Sequence, residues 1–599
     1  MCDARGETLL RDTNQTIDIP KAQTPEQLID QAALAGLGHM TSGLSPIGLT
    51  LAVLDWSMHL AVAPGKRIAL AEAYGQLLAD TMQRAARGIT GAEVEDGAGH
   101  SKTPARRDPR FSGDAWNQFP FQFWADTFSA VEDWWSSATR GVPGVSPHHE
   151  AVVSFAVRQW LDMWSPSNSP FANPAVAQQT LREGGANLVR GAQIWLEDAE
   201  RIAGGKLAAG AEAFKVGETV AATPGQVIFR NHLIELIQYA PAGETVHAEP
   251  ILIVPAWIMK YYVLDLSPNN SLIKFLVDQG FTVFCISWRN VSAEDRNLSL
   301  EDYRRLGVMA ALDTISAVVP DRPVHAAGYC LGGTLLSIAA AAMGETGDDR
   351  LASVTLLAAQ TDFTEPGDLQ LFIDDSQVAL LEALMGQSGT LDSSQMAGAF
   401  QLLKSNDLIW SHMIHDYLMG ERSQMIDLMA WNADATRMPF QMHSDYLRKL
   451  FLRNDLASGR YVVDGNPIAL QNIRVPVFAV GTERDHIAPW KSVYKIHYLA
   501  DTGVTFVLTN GGHNAGIVNE PGHANRHFRL LTKARNDICL SADEWFSAAN
   551  VKNGSWWPVW TDWLAAHASP QRVSPPAMGC EAKGISPLAA APGTYVLQR

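Results

Sequence analysis

The stretch Val324-His325-Ala326-Ala327-Gly328-Tyr329-Cys330-Leu331-Gly332-Gly333 decides how the chain is read. A short β-prone run enters a G-x-C-x-G pentapeptide, and an Ala-rich helical pattern leaves it. This is the setting of a nucleophile elbow. The turn is so sharp that its central residue takes strained backbone angles, and small residues two before and two after it prevent collision of strand and helix. Gly333 extends that tolerance. A thiol on this turn sits over the N-terminus of the next helix, whose unpaired N–H groups and dipole favour negative charge. The pentapeptide alone carries little weight, because Gly and Cys are common in buried turns.

Two downstream features add to it. The β-prone run 475–480 (VPVFAV) leads into Gly481-Thr482-Glu483-Arg484-Asp485-His486, and the run 504–508 (VTFVL) leads into Thr509-Asn510-Gly511-Gly512-His513. An acid just past one strand and a base on a Gly-rich loop after the last give the order Cys330, Asp485, His513. That is the nucleophile–acid–base order of α/β hydrolases. His486 competes with His513 as base, but its adjacency to Asp485 turns it elsewhere. An oxyanion hole is expected from the Leu331 N–H and a second N–H within 254–257. Pro255 has no N–H and is excluded.

Outward from these motifs, β-rich runs alternate with helical patterns, as a parallel α/β sheet requires. They lie at 227–239 (antiparallel strands), 251–254, 282–288, 324–328 and 354–358. A Met- and Leu-rich helical stretch at about 368–467 interrupts the series and is read as a cap or lid inserted over one end of the sheet. Upstream, the apolar residues of 175–199 (Leu181, Leu188, Val189, Trp195, Leu196) fall on one helical face. The small, Gly-rich stretch 203–210 is a domain boundary. The expected organisation is a poorly patterned N-terminal segment (1–105), a mainly helical domain (106–210) and an α/β-hydrolase catalytic domain (211–599). Residues 88–110 read as a loop or mobile linker. The aromatic block Phe111, Trp116, Phe119, Phe121, Phe123, Trp124, Phe128, Trp134 and Trp135 suits a helical core or a contact with an apolar surface.

The 599 residues exceed one ordinary core. A composition 47% hydrophobic and 18% charged excludes disordered, collagen-like and coiled-coil classes. The formal net charge of −17 opposes nonspecific binding to nucleic acid or anionic lipid. Five cysteines without a CxxC or zinc-like spacing argue against a disulfide framework or a metal site and suit a reducing, cytoplasmic compartment. The start, MCDARGETLLRD, has no signal-peptide character. His325–Gly344 lacks formal charge over 20 residues, but its Ala, Gly and hydroxyl content suits a buried strand, turn and helix better than a membrane span.

From about residue 108 onward, the chain resembles the polyhydroxyalkanoate synthases, most closely the class I type. The motifs that carry this include DPRFSGDAW (108–116), PSNSPFANP (166–174), GGANLVRG (184–191), VGETVAATPGQVIFRN (216–231), VPAWIMKYYVLDL (254–266), ISWRN (286–290), GYCLGG (328–333), WNADAT (431–436), DHIAPW (485–490), GGHNAGIVN (511–519) and GSWWPVW (554–560). Cys330 matches the cysteine of the family's lipase-like box, and Asp485 and His513 match its acid and base. Two departures stand out. The family commonly has two prolines and then Trp-Ile-Asn-Lys where this chain has Pro255-Ala256-Trp257-Ile258-Met259-Lys260, and Ser-Gly-His where it has Gly511-Gly512-His513.

The resemblance implies polymerisation of (R)-3-hydroxyacyl-CoA, of the short-chain 3-hydroxybutyryl type, through a thioester on Cys330. Coenzyme A is then substrate and leaving group, and no retained cofactor or metal is expected. The implied partners are the growing polyester, the granule surface and a second copy of the chain. Lys260, Arg289 and Arg296 are candidate cations for the phosphates of coenzyme A. The fold by itself does not separate such an acyltransferase from a thioesterase or an intracellular polyester depolymerase with the same triad.

Overall fold

The computed structural model describes residues 24–90, 108–392, 395, 398 and 401–599. Cys2, the N-terminal segment to residue 23 and residues 91–107 lie outside the described residues; of the loop or linker expected at 88–110, residues 88–90 end a helix and Pro109–Phe111 form a 3-10 turn. Among the described residues, eleven strands form one mixed sheet. In chain order they are β1 (Gly225–Arg230), β2 (Ile234–Tyr239), β3 (Ile251–Val254), β4 (Val283–Trp288), β5 (Val324–Tyr329), β6 (Leu351–Leu357), β7 (Val477–Thr482), β8 (Val504–Thr509), β9 (His527–Lys533), β10 (Asn550–Asn553) and β11 (Ala589–Ala590). The spatial order is β10-β9-β8-β7-β6-β5-β3-β4-β2-β1-β11. The six strands from β8 to β4 are parallel. Antiparallel pairs extend both edges.

The parallel strands are buried on both faces, so they read as continuous apolar runs and were legible in the sequence. The outer strands β9 and β10, HFRLLTK and NVKN, are partly exposed and polar, and sequence patterning missed them. The uncharged stretch 325–344 is β5, the elbow and helix α8 (Leu331–Thr346), with residues 331–343 of the helix fully buried in the hydrophobic core. No single described helix is long and apolar enough to cross a membrane; one bent pair in the N-terminal region passes by length and composition only.

Residues 25–90, expected to be weakly patterned, form three helices: α1 (Pro25–Met40), α2 (Pro46–Ala61) and α3 (Pro64–Thr90). The first two carry Pro at N1 behind Thr24 and Ser45, whose side chains cap the exposed N–H groups. The single helix expected over 175–199 is two, α6 (Pro174–Arg182) and α7 (Ala186–Ala203). Gly184 and Gly185 separate them at φ 59° and 89°, angles that end one helix and start another. Their apolar face points outward: Leu181, Val189, Trp195 and Leu196 are all exposed. The aromatic block is largely core, with Phe111, Trp116 and Phe128 packed on Leu161, although Phe119 is exposed.

The stretch 368–467 leaves the sheet between β6 and β7, which are neighbours, and is mostly short helical segments. The N-terminal helices grip this insertion. Gln377, on helix α9 (Asp375–Ser388), accepts from the Ser45 N–H (2.7 Å) and donates to the Gly43 carbonyl (2.6 Å). Helix α7 sits against residues 417–422: Asn187 donates to the Leu418 carbonyl (2.8 Å), and Arg422 pairs with Asp198 (2.8 Å). Gly191 makes this approach possible, since a Cβ there would lie 1.7 Å from the Tyr417 carbonyl oxygen. Gly191→Ala is therefore expected to destabilise the protein by about 1–3 kcal/mol and to expose the 413–422 segment. Thermal unfolding and limited proteolysis measure both effects.

Candidate active site

Cys330 occupies the elbow with φ 52° and ψ −123°, a strained conformation for a residue with a side chain. The glycines around it are required by contact. A Cβ on Gly328 would lie 2.4 Å from Gly333 Cα; one on Gly332 would lie 2.0 Å from the Val254 carbonyl oxygen; one on Gly333 would lie 2.4 Å from Ala359 Cβ. The elbow is thus pressed directly against the end of β3. Leu331 opens α8, so its N–H has no intrahelical acceptor. The tract Pro255–Trp257 lies beside it. Trp288 donates to the Pro255 carbonyl (2.8 Å) and Thr436 to the Trp257 carbonyl (2.5 Å), which holds the tract in place.

The structure brings the three widely separated residues together. His513 Nδ1 is 2.7 Å from Asp485 Oδ2, and the imidazole lies close enough to Cys330 to feel its charge. Asp485 accepts further from the Ile487 and Ala488 N–H groups (2.9 Å each) and from Thr482 Oγ1 (3.0 Å). Burial penalises its charge, but His513 and these donors outweigh the penalty and hold the carboxyl below its ordinary value. Burial likewise opposes an imidazolium at His513. The Asp485 carboxylate, the charge of Cys330 and the hydrogen bond to Asp485 reverse that and hold His513 well above its ordinary value. His486 is not in this chain of contacts. Burial pushes it down to about 4, and its backbone carbonyl receives the Asp368 N–H (2.8 Å).

Above Cys330 lies a cavity of about 50 Å³, lined mostly by apolar side chains. Its floor is Cys330, Leu331, Thr334 and Ala358. Its roof comes from the insertion: Leu369, Met438, His443 and Tyr446. Sequence reasoning missed His443 and Tyr446 because neither belongs to a catalytic motif; only their place in the inserted stretch pointed to them. A second, polar cavity of about 790 Å³ lies between the helical region and the insertion, with Arg140, Arg158 and Lys404 among its lining. Asp368 and Gln370 line this larger space while Leu369 between them lines the smaller one, so the backbone at 368–370 is their shared wall.

The three candidate phosphate ligands are engaged elsewhere. Lys260 is 3% exposed, and its ammonium donates to the Gln598 carbonyl. Arg289 pairs with Asp295, and Arg296 donates to the Gly386 carbonyl (3.0 Å). Among the described residues no group of side chains has the makings of a metal site. The cysteines Cys285, Cys539 and Cys580 are free, like Cys330, and none of the three stands on the elbow.

The fold and this arrangement define an α/β-hydrolase-type protein with cysteine at the nucleophile position, and residues 249–520 match the alpha/beta hydrolase fold family. Residues 107–276 match the poly-beta-hydroxybutyrate polymerase (PhaC) N-terminus, and residues 24–66 match the poly-beta-hydroxybutyrate polymerase N terminal family. A poly(3-hydroxyalkanoate) polymerase of Methylorubrum extorquens is 39% identical over 605 residues, covering 98% of this chain and 97% of that protein. The PhaC subunit of the Rhizobium meliloti polymerase is 38% identical, covering 87% and 84%; that of Cupriavidus necator is 36% identical, covering 82% and 83%. The chain belongs to the poly(3-hydroxyalkanoate) polymerases, a family of acyltransferases. The likeness thus reaches into the first hundred residues, which sequence reading alone had set aside.

The Asp485–His513 pair makes a pH-dependent contribution to stability. The lowered Asp485 contributes fully above its unfolded value of about 4 and loses this as pH falls through its folded value. The raised His513 contributes fully below its unfolded value of about 6.5 and loses this as pH rises through its folded value. Coupling between Asp485→Asn and His513→Gln, measured by a double-mutant cycle on unfolding, is expected to be largest at about pH 4–6.5. It should shrink on either side. A coupling independent of pH would show that the two residues do not act as an ion pair.

Proposed function

We propose that the protein polymerises short-chain (R)-3-hydroxyacyl-CoA, of the 3-hydroxybutyryl type, through a covalent thioester on Cys330. The observation that carries this reading is the thiol on the elbow, close to His513 and facing a small apolar cavity closed by the insertion. His513, held in its charged form, keeps the proton given up by the Cys330 thiol while the sulfur attacks the substrate carbonyl, and passes it to the departing thiolate of coenzyme A. The tetrahedral oxyanion is met by the Leu331 N–H and by an N–H from Ala256 or Trp257. Coenzyme A leaves as the free thiol, and Cys330 holds the acyl group. Exchange of one thioester for another is nearly isoenergetic, whereas transfer on to a hydroxyl gives an oxoester and runs downhill.

Water would divert the acyl enzyme to free acid, so its exclusion separates a polymerase from a thioesterase. The apolar roof of Leu369, Met438 and Tyr446 supplies that exclusion. The narrowness of this cavity favours a short acyl group over a long one. The roof must part to admit coenzyme A and the polymer. The polar cavity beyond the wall at 368–370 offers Arg140, Arg158 and Lys404 for the phosphates in place of the three cations first considered, although Asp108, Asp162, Asp368 and Asp407 share its lining. The exposed apolar residues of α7 and of its neighbours, among them Trp164 and Phe171, suit a granule surface or a second copy of the chain. We place the enzyme in the cytoplasm at the polyester granule, acting as a homodimer without a retained cofactor.

Incubation with (R)-3-hydroxybutyryl-CoA and longer homologues tests this directly. Polymer and free thiol are expected from the short substrate; free acid and thiol would indicate a thioesterase instead. Cys330→Ala should abolish thiol release from every acyl-CoA, and turnover retained in that variant would overturn the mechanism. Cys330→Ser should be severely impaired, because an alcohol is far less acidic than a thiol.

Asp485 has a second role in this reading: it helps His513 activate the incoming hydroxyl. A hydroxyl attacking a thioester depends more on the base than a thiol does. Asp485→Asn is therefore expected to slow steady-state polymerisation more than single-turnover acylation of Cys330. Equal fractional losses would assign Asp485 to orientation alone.

A further inference from the structure

Among the side chains lining the Cys330 cavity, His443 stands apart. It is 3% exposed, comes from the insertion helix Phe440–Asp445, and its Nδ1 has no hydrogen-bond partner. Buried polar atoms are nearly always paired, and an unpaired one costs free energy. The other polar groups at the cavity are largely committed. Thr334 Oγ1 donates to the Gln360 carbonyl (2.7 Å), and Gln360 Nε2 donates to Ser492 Oγ (3.3 Å). The thiol of Cys330 is the reacting group, and the substrate carbonyl turns toward the N–H groups below it. What remains without a protein partner is the hydroxyl of a 3-hydroxyacyl group, and on the roof over Cys330 two polar groups remain, the phenol of Tyr446 and the imidazole of His443, of which only the neutral imidazole offers a nitrogen acceptor as well as a donor.

We propose that His443 is a specificity residue that hydrogen-bonds the 3-hydroxyl of the acyl group bound at Cys330. This rests on the acyl-transfer reading above. The chemistry of the pair fits. A neutral imidazole carries one donor and one acceptor nitrogen, and a hydroxyl is both donor and acceptor, so either tautomer makes the bond. Burial keeps the ring neutral by pushing it down to about 4. So weak a base holds the hydroxyl without deprotonating it, and base catalysis stays with His513. A buried site that hydrogen-bonds a hydroxyl rejects the analogue lacking it, because the protein group is then left unpaired. His443 would therefore select 3-hydroxyacyl groups over plain acyl groups before any ester forms.

The test compares single-turnover thiol release from (R)-3-hydroxybutyryl-CoA and from butyryl-CoA, which lacks only the hydroxyl. In the full-length protein the hydroxylated substrate should be favoured. In His443→Leu its acylation should fall by about 10-fold or more relative to that of butyryl-CoA, while an unchanged thermal unfolding midpoint reports that the fold is intact. His443→Gln, which keeps a donor and an acceptor, should recover part of the preference. Equal losses on both substrates, or an unchanged preference in His443→Leu, would overturn the inference. Absence of Cys330-dependent thiol release from both substrates in the unmutated protein would overturn the acyl-transfer reading, and the inference with it.

Discussion

The structure turns on the contact between Gly332 and the end of β3. The elbow helix comes so close to the Val254 and Pro255 carbonyls that no side chain fits between them. At this approach Cys330 takes a positive φ, and the Leu331 N–H comes beside the Pro255–Trp257 tract. The strain is offset by the burial of α8 within the parallel strands, whose apolar side chains form the largest core cluster. A side chain that stands at the end of a strand and over the N-terminus of the next helix needs this close packing.

A second constraint comes from the chain beyond the sheet. The insertion between β6 and β7 roofs the cavity, and it is held on two sides. The N-terminal helices hold it through Gln377, Asn187 and Asp198. On its inner side it is tied to the oxyanion tract, because Thr436 donates to the Trp257 carbonyl and Trp431 to the Lys260 carbonyl (2.8 Å). The roof is thereby tied to the Pro255–Trp257 tract and to the helices that carry the exposed apolar face. Lys260, which looked like a phosphate ligand, belongs to this linkage, with its buried ammonium on the Gln598 carbonyl. The motif around 254–266 is thus a structural joint.

The electrostatics follow the same logic. Asp485 and His513 are buried, and each alone would be driven toward neutrality. Together, with the Cys330 charge and the backbone N–H groups of Ile487 and Ala488, they hold the charged forms. His443, buried at the same cavity, is shifted by burial alone and stays neutral. Two histidines a few side chains apart thus differ in character because of what surrounds them.

The sequence by itself determined the central strands, the elbow and the order of Cys330, Asp485 and His513. Strands buried on both faces must be apolar throughout, and the sharp turn admits only small neighbours, so both leave marks in the residues themselves. It did not determine the edge strands β9 and β10, whose polar, half-exposed residues resemble loops. Nor did it show the break in the helix at Gly184 and Gly185, or the outward turn of the apolar face of α7. Amphipathic spacing says that a face exists; only packing against the insertion, through Gly191, decided that the polar side would be buried and the apolar side exposed. The roof over Cys330 was decided at the same level. His443 and Tyr446 sit more than a hundred residues from the elbow, and no local pattern sets the distance across a cavity. Tertiary folding alone brought them over the thiol.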